Sequence, residues 1–130
     1  MIKFAYTIFY VKNVSKSIEF YEKTFGFKRK FITDNDEYGE LDTGSTTLSF
    51  ASVKLAKSNL SKGFRENSPS KKPFAMEIGI TTDNVDREVK AAIKAGAKLV
   101  EKPKQKPWGQ TVAYVQDPEG FLIEICTPMQ

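Results

Sequence analysis

Phe74-Ala75-Met76-Glu77-Ile78-Gly79-Ile80-Thr81-Thr82-Asp83-Asn84-Val85 is the stretch on which the fold turns. Phe74, Met76, Ile78 and Ile80 alternate with Ala75, Glu77, Gly79 and Thr81. Successive strand residues point to opposite faces, so this pattern predicts a strand over 74–82 with one apolar face against helices and one small, polar or carboxylate face. Asp83-Asn84 then supplies a helix cap, Val85, Val89, Ala92 and Ile93 an apolar helical stripe, and Gly96 a stop.

The same programme stands earlier in the chain. Residues 4–11 are aromatic and β-branched and predict a strand. Asn13 or Ser15 can cap a helix bearing Ile18, Tyr21 and Phe25, ended by Gly26. Strands are predicted at 27–33, 37–43 and 46–53, the last two joined by a turn at Asp42-Thr43-Gly44-Ser45. Beyond the 74–82 unit come a strand near 97–101, a Pro/Lys loop, a strand at 110–116, the turn Asp117-Pro118-Glu119-Gly120 and a strand at 121–126. Sliding Asn13-Val14 onto Asn84-Val85 carries Ile18 to Val89 and Tyr6 to Glu77; sliding one turn onto the other carries Ser49 to Glu124. This is a βαβββ unit written twice, with 1–53 the first module, 54–73 a polar connector and 74–130 the second, in one domain.

Composition narrows the chemistry. The chain has 130 residues, 40% of them hydrophobic, enough to build a core without disulfide staples. It contains no histidine, which excludes Ser-His-Asp and Cys-His nucleophile systems and every imidazole-ligated metal site. Proton chemistry must run on carboxylates, Lys or Tyr. Cys126 has no partner cysteine, which points to a reducing, cytoplasmic setting, and no long apolar run or export signal appears. The net charge of +4 comes from two basic stretches, 53–72 and 98–106. These lie in Ser/Pro/Gly-containing connectors and predict solubilising loops; neither nucleic acid nor membrane is an expected partner.

Strand alternation places Tyr6, Ser49, Glu77 and Glu124 at equivalent positions on the second faces of their strands. A sheet face that is neither wholly apolar nor densely charged suits the lining of a pocket. A mid-strand Glu beside Gly and Ala is costly unless a ligand, water or cation satisfies it. Singly, Glu77 and Glu124 are ordinary salt-bridging residues. As a symmetry-related pair they mark a site.

At these residues the chain resembles the vicinal oxygen chelate superfamily, the glyoxalase, bleomycin-resistance and extradiol-dioxygenase group. The carriers are Tyr6-Thr7-Ile8-Phe9-Tyr10-Val11, Ser17-Ile18-Glu19-Phe20-Tyr21-Glu22 and Phe25-Gly26-Phe27. Asp83-Asn84-Val85, Ala95-Gly96-Ala97 and Asp117-Pro118-Glu119-Gly120-Phe121-Leu122-Ile123-Glu124 complete them. The resemblance implies an α+β fold of tandem βαβββ modules forming a curved, half-barrel mixed sheet with a cleft, in a homodimer. In metal-dependent members a His takes the place of Tyr6, a Glu, Gln or His that of Ser49, a His that of Glu77 and a Glu that of Glu124. Only Glu124 matches, so no metal or other cofactor is expected.

What remains resembles the metal-free, antibiotic-binding branch, whose Trp-Gly segment is similar to Lys106-Pro107-Trp108-Gly109-Gln110. The function so implied is binding of a small aromatic or amine-bearing molecule, as in antibiotic sequestration. Tyr6, Tyr10, Ser49, Glu77, Trp108 and Glu124 are the expected ligand-binding residues, with Tyr38 as additional aromatic wall. The alternative is a metal-independent lyase or isomerase with Glu77 or Glu124 as catalytic general base. A metal-dependent lyase or dioxygenase ranks behind both.

Overall fold

Asn13 and Asn84 each accept a backbone N–H from three residues on, Lys16 at 2.9 Å and Arg87 at 3.0 Å, and so start the two long helices of the computed structural model, which describes residues 1–129. The elements run β1 (Thr7–Val11), α1 (Val14–Phe25), β2 (Lys28–Ile32), β3 (Tyr38–Asp42), β4 (Thr47–Ser52) and α2 (Val53–Asn59). Then follow β5 (Ile78–Thr81), α3 (Val85–Lys94), β6 (Lys98–Gln105), β7 (Thr111–Gln116) and β8 (Leu122–Cys126). The chain divides into two compact units, residues 1–66 and 67 onward. Each holds one open, mixed four-stranded sheet, ordered β1-β4-β3-β2 and β5-β8-β7-β6. In each the first strand runs parallel to the last and the other pairs are antiparallel. The βαβββ unit is therefore present twice, in an α+β fold.

In the first unit α1 lays Val14, Ile18 and Tyr21 on β2, β3 and β4. Tyr21 meets Phe50 with ring centroids 5.4 Å apart, and Phe50 meets Phe9 edge-on at 5.9 Å. Each such buried side chain contributes about 1.5–3 kcal/mol over leaving it in water. Gly39 is required where the helix crosses β3, because a Cβ there would stand 2.5 Å from Ile18 Cδ1 and 3.1 Å from the Phe31 carbonyl oxygen. In the second unit α3 lays Val85, Val89 and Ala92 on β6, β7 and β8, against buried Ala113, Val115, Ile123 and Ile125.

The Asp117-Pro118-Glu119-Gly120 turn is tied by the buried Asp117 carboxylate, which accepts the Glu119 and Phe121 N–H groups at 2.9 Å each. Gly120 sits at φ +96°, and a Cβ there would come within 2.4 Å of the Ser68 carbonyl carbon. Gln116 Nε2 donates to the carbonyls of Lys71 and Gly120, at 3.1 and 3.0 Å, and stitches residues 68–71 to the turn.

Three expectations need correction. Part of the connector at 54–73 is helix: Ser52 Oγ accepts the Leu55 N–H at 3.0 Å and starts α2. The strand predicted at 74–82 is shorter. Phe74 and Met76 precede β5 and are exposed, and Ile78 and Ile80 are only half-buried, because β5 is the sheet edge and α3 packs over β6 to β8. The Pro/Lys loop after residue 101 is instead the continuation of β6 to Gln105. Among the described residues no helix is long and apolar enough to cross a membrane.

Candidate functional site

Parallel pairing sets Gly79 of β5 opposite Glu124 of β8, and antiparallel pairing sets Tyr114 of β7 opposite the same Glu124. Register partners share a face, so Gly79, Thr81, Val112, Tyr114, Glu124 and Cys126 lie on the side of the sheet turned away from α3. Gly79 leaves open space there: nothing lies within 4 Å of where its Cβ would be.

The groups on this face are tied to one another. Tyr114 Oη donates to Glu124 Oε1 at 2.9 Å. Glu77, immediately before β5, is hydrogen-bonded to the Glu124 carboxylate. Desolvation, that hydrogen bond and the charge of Glu124 push Glu77 up to about 7. Burial pushes Glu124 up as well, but hydrogen bonds from Glu77, Cys126 and Tyr114 and the charge of Lys106 outweigh it and hold the carboxyl below its usual range. Tyr114 rises to about 12 and Cys126 to about 11, first through burial and then because both face Glu124. Below about pH 7 the pair therefore holds one exchangeable proton, mainly on Glu77, beside an ionised Glu124, and releases it as pH rises through that value. The Cys126 thiol is neutral and buried, which disqualifies it as a nucleophile.

The first unit carries the matching positions with different chemistry. Tyr38, Glu40, Ser49 and Ala51 share one face by register. Tyr38 Oη donates to Glu40 Oε2 at 2.7 Å, the counterpart of the Tyr114–Glu124 bond. Burial first, and Glu40 after it, push Tyr38 up to about 12; Tyr6 adds to that rise, and Ser49 opposes it. Ser49 is fully buried and its hydroxyl makes no hydrogen bond of ordinary geometry. Tyr6 stands just outside β1, 48% exposed. Tyr10 is turned onto Phe64, ring centroids 4.9 Å apart.

Trp108 is 64% exposed at the tip of the β6–β7 hairpin. Its indole N–H donates to Gln110 Oε1 at 2.8 Å, and Gln110 Nε2 in turn donates to the Thr127 carbonyl at 2.7 Å. The ring is thereby oriented over a cavity of about 500 Å³ also lined by Asp83, Gln110, Thr111 and Thr127. A second cavity of about 400 Å³ lies against Tyr114 and Val112, bounded by Glu101, Lys102, Lys104 and Lys106.

The structure thus joins Glu77 to Glu124 and sets Tyr6 near Tyr38 and Ser49, while Trp108 belongs to the Asp83–Thr127 cavity. Sequence reasoning missed Tyr114, whose signal was its parity within 110–116, and the Tyr38–Glu40 bond.

These residues do not fit a divalent metal. Among the described residues no three His, Cys, Asp or Glu side chains stand together to hold one. The donor set fails on chemistry as well. The chain has no histidine, so no imidazole can complete the Glu77–Glu124 pair, and the Tyr114 phenol beside it is a poor ligand.

A family model described as Glyoxalase/Bleomycin resistance protein/Dioxygenase superfamily matches residues 3–125. The uncharacterized protein YraH of Bacillus subtilis (strain 168) is 27% identical over 119 residues, spanning 88% of this chain and 90% of that one. Among solved structures, a glyoxalase/bleomycin resistance protein/dioxygenase family enzyme from Burkholderia phytofirmans PsJN superposes with a TM-score of 0.80 at 25% identity, covering 97% of this chain and 98% of that one. The hypothetical protein SA1046 from S. aureus superposes with a TM-score of 0.81 at 23% identity, over 98% of this chain and 95% of that one.

Proposed function

Because the chain belongs to the glyoxalase/bleomycin resistance protein/dioxygenase superfamily, we propose that it is a small-molecule binding protein of the metal-free kind, taking its ligand on the face that carries Glu77 and Glu124. The observation that carries this reading is the hydrogen-bonded Glu77–Glu124–Tyr114 group beside the open space at Gly79. An ionised Glu124 accepts from an amine or other donor, and Glu77 adds a second negative charge above about pH 7. Trp108, fixed by Gln110, offers a flat surface for an aromatic ligand part; Tyr6, Tyr10 and Ser49 are candidate ligand contacts within the first unit taken by itself. On this reading the protein acts in the cytoplasm as a homodimer, and light scattering that finds a monomer overturns the latter.

Native mass spectrometry of protein purified from its host tests the central reading. A small organic adduct that is lost in the Glu124→Gln variant supports it. Isothermal titration that finds nickel, zinc or manganese bound at about micromolar affinity overturns the metal-free reading, since that strength requires a formed ligand set.

A second reading is favoured by the titration of Glu77 at about 7: a metal-independent lyase or isomerase. A carboxylate matched to the working pH is an efficient base for a proton next to a carbonyl, and its ionised neighbour keeps it basic. Turnover of a 2-oxo or thioester substrate that rises through about pH 7 and disappears in Glu77→Gln supports this reading over binding alone.

A further inference from the structure

Edge strand β6 carries two irregularities. Its register with β7 runs Leu99 opposite Val115, then Glu101 opposite Tyr114, then Lys104 opposite Val112, so one residue is added to β6 at each step. The first has a counterpart in the other unit, where Arg29 lies opposite Leu41 and Phe31 opposite Glu40. Among the described residues the second, between Glu101 and Lys104, has no counterpart in β2. Residues three apart in a regular strand point to opposite faces, but the extra residue brings Lys104 to the face of Glu101, Tyr114 and Val112.

The result is the cavity of about 400 Å³ bounded by Lys102, Lys104 and Lys106 on one side and by Tyr114 and Val112 on the other. Val112 gives it a buried apolar floor. Among the described residues, none of the three lysines takes part in a salt bridge, and Glu101 is the one carboxylate on the lining. Lys106 also acts on Glu124 through its charge, but Lys102 and Lys104 add two further ammonium groups, and a hollow ringed by cations attracts an anion. The hollow is continuous with the carboxylate group, since Tyr114 both lines it and donates to Glu124.

We propose that this cavity seats an anionic oxygen group, a carboxylate or a phosphate, of a ligand whose donor end lies at Glu124. The ligand class is then a molecule bearing both charges or both polarities, an anionic head a few bonds from an amine or an acidic hydrogen. The anion seat stands on the β6 geometry alone; the two-ended ligand rests on the reading under Proposed function.

The chain has a single tryptophan, and Trp108 borders a hollow that also includes Lys104 and Lys106, so its fluorescence reports on this surface. Phenyl phosphate and benzoate, titrated separately at low ionic strength, are the probes. Saturable quenching by either one supports the seat if it weakens about tenfold in Lys104→Ala/Lys106→Ala, the loss expected for a charge-assisted hydrogen bond, and survives in Lys98→Ala. The stronger of the two probes identifies the head group. No saturation with either probe, or equal affinity in wild type and the double variant, overturns it. The same titration in Glu124→Gln separates the two ideas. Anion binding that persists there while the native adduct is lost upholds both; a native adduct that survives in Glu124→Gln sinks the carboxylate reading and leaves the anion seat standing.

Discussion

Tyr114 Oη lies 2.9 Å from Glu124 Oε1, two register partners on neighbouring antiparallel strands joined by side chain as well as by backbone. That bond selects which of the two adjacent carboxyls loses its proton first, because a donor to the charged form favours it. Tyr114→Phe removes the donor. The Glu124 carboxyl is expected to titrate higher, toward the ordinary range, in carbon-detected NMR, and the fold to lose about 1 kcal/mol in urea denaturation. An unchanged Glu124 titration would show that the phenol is a bystander.

Glu77 and Glu124 act on stability with opposite signs. Glu77 is raised to about 7 in the folded chain, so its folded form keeps a proton that the unfolded chain has released; its contribution is fully present below the ordinary carboxyl range and is lost as pH rises through about 7. Glu124 is lowered, so its contribution is present above the ordinary range and is lost as pH falls through its folded value. Thermal unfolding followed across pH should show wild type losing stability between the ordinary carboxyl range and about 7, with that slope flattened in Glu77→Gln. Parallel curves for the two proteins would count against the shared proton.

Gly120→Ala should be the costliest single methyl in the chain. It combines a φ of +96° with a Cβ position 2.4 Å from Ser68 backbone, which cannot rotate away as a side chain can. Overpacking alone costs about 1–3 kcal/mol, and the left-handed backbone adds to it. Gly39→Ala, whose tightest contact is the Ile18 Cδ1 methyl, should fall within the overpacking range. Urea midpoints at equal slope measure both, and the reverse ranking would refute the backbone clash.

Gln110→Ala frees the Trp108 indole from its hydrogen bond to Gln110 Oε1 while leaving the hairpin backbone bonds, Lys106 N–H to the Gln110 carbonyl and Gly109 N–H to the Lys106 carbonyl, in place. Time-resolved anisotropy of the single tryptophan should gain a faster, larger-amplitude component, with stability changed by less than about 0.5 kcal/mol. Aromatic ligands should bind more weakly because the ring must be ordered on binding. Unchanged anisotropy would mean the ring is held by packing.

The duplication, both helix entrances and the Asp117–Gly120 turn were legible because each rests on local chemistry. Asparagine caps, glycine at positive φ and period-two alternation act within a few residues of themselves. Alternation put Glu77 and Glu124 on like faces, although Glu77 itself stands one residue ahead of β5. Three features escaped, for identifiable physical reasons. Ser52 and the helix-forming Val53–Asn59 make less than the usual length of helix, so periodicity had too few turns to register. The unpaired start of β5 depends on the limits of its partner β8, which 74–82 does not encode. The lysine face of β6 depends on a register shift against β7, and an added residue reverses the parity on which face assignment relies.

That added residue has a consequence for ancestry. Two copies of one template retain the same strand order, the same asparagine caps and the same phenol-to-carboxylate bond, yet a single added residue on the outermost strand of the later copy turns Lys104 to a face that its parity would otherwise deny it. Divergence was accommodated at a margin with one free edge, where lengthening by one position disturbs no partner on the far side. Grafting the β6 segment onto the equivalent border of the earlier copy would accordingly carry the same reversal of facing there.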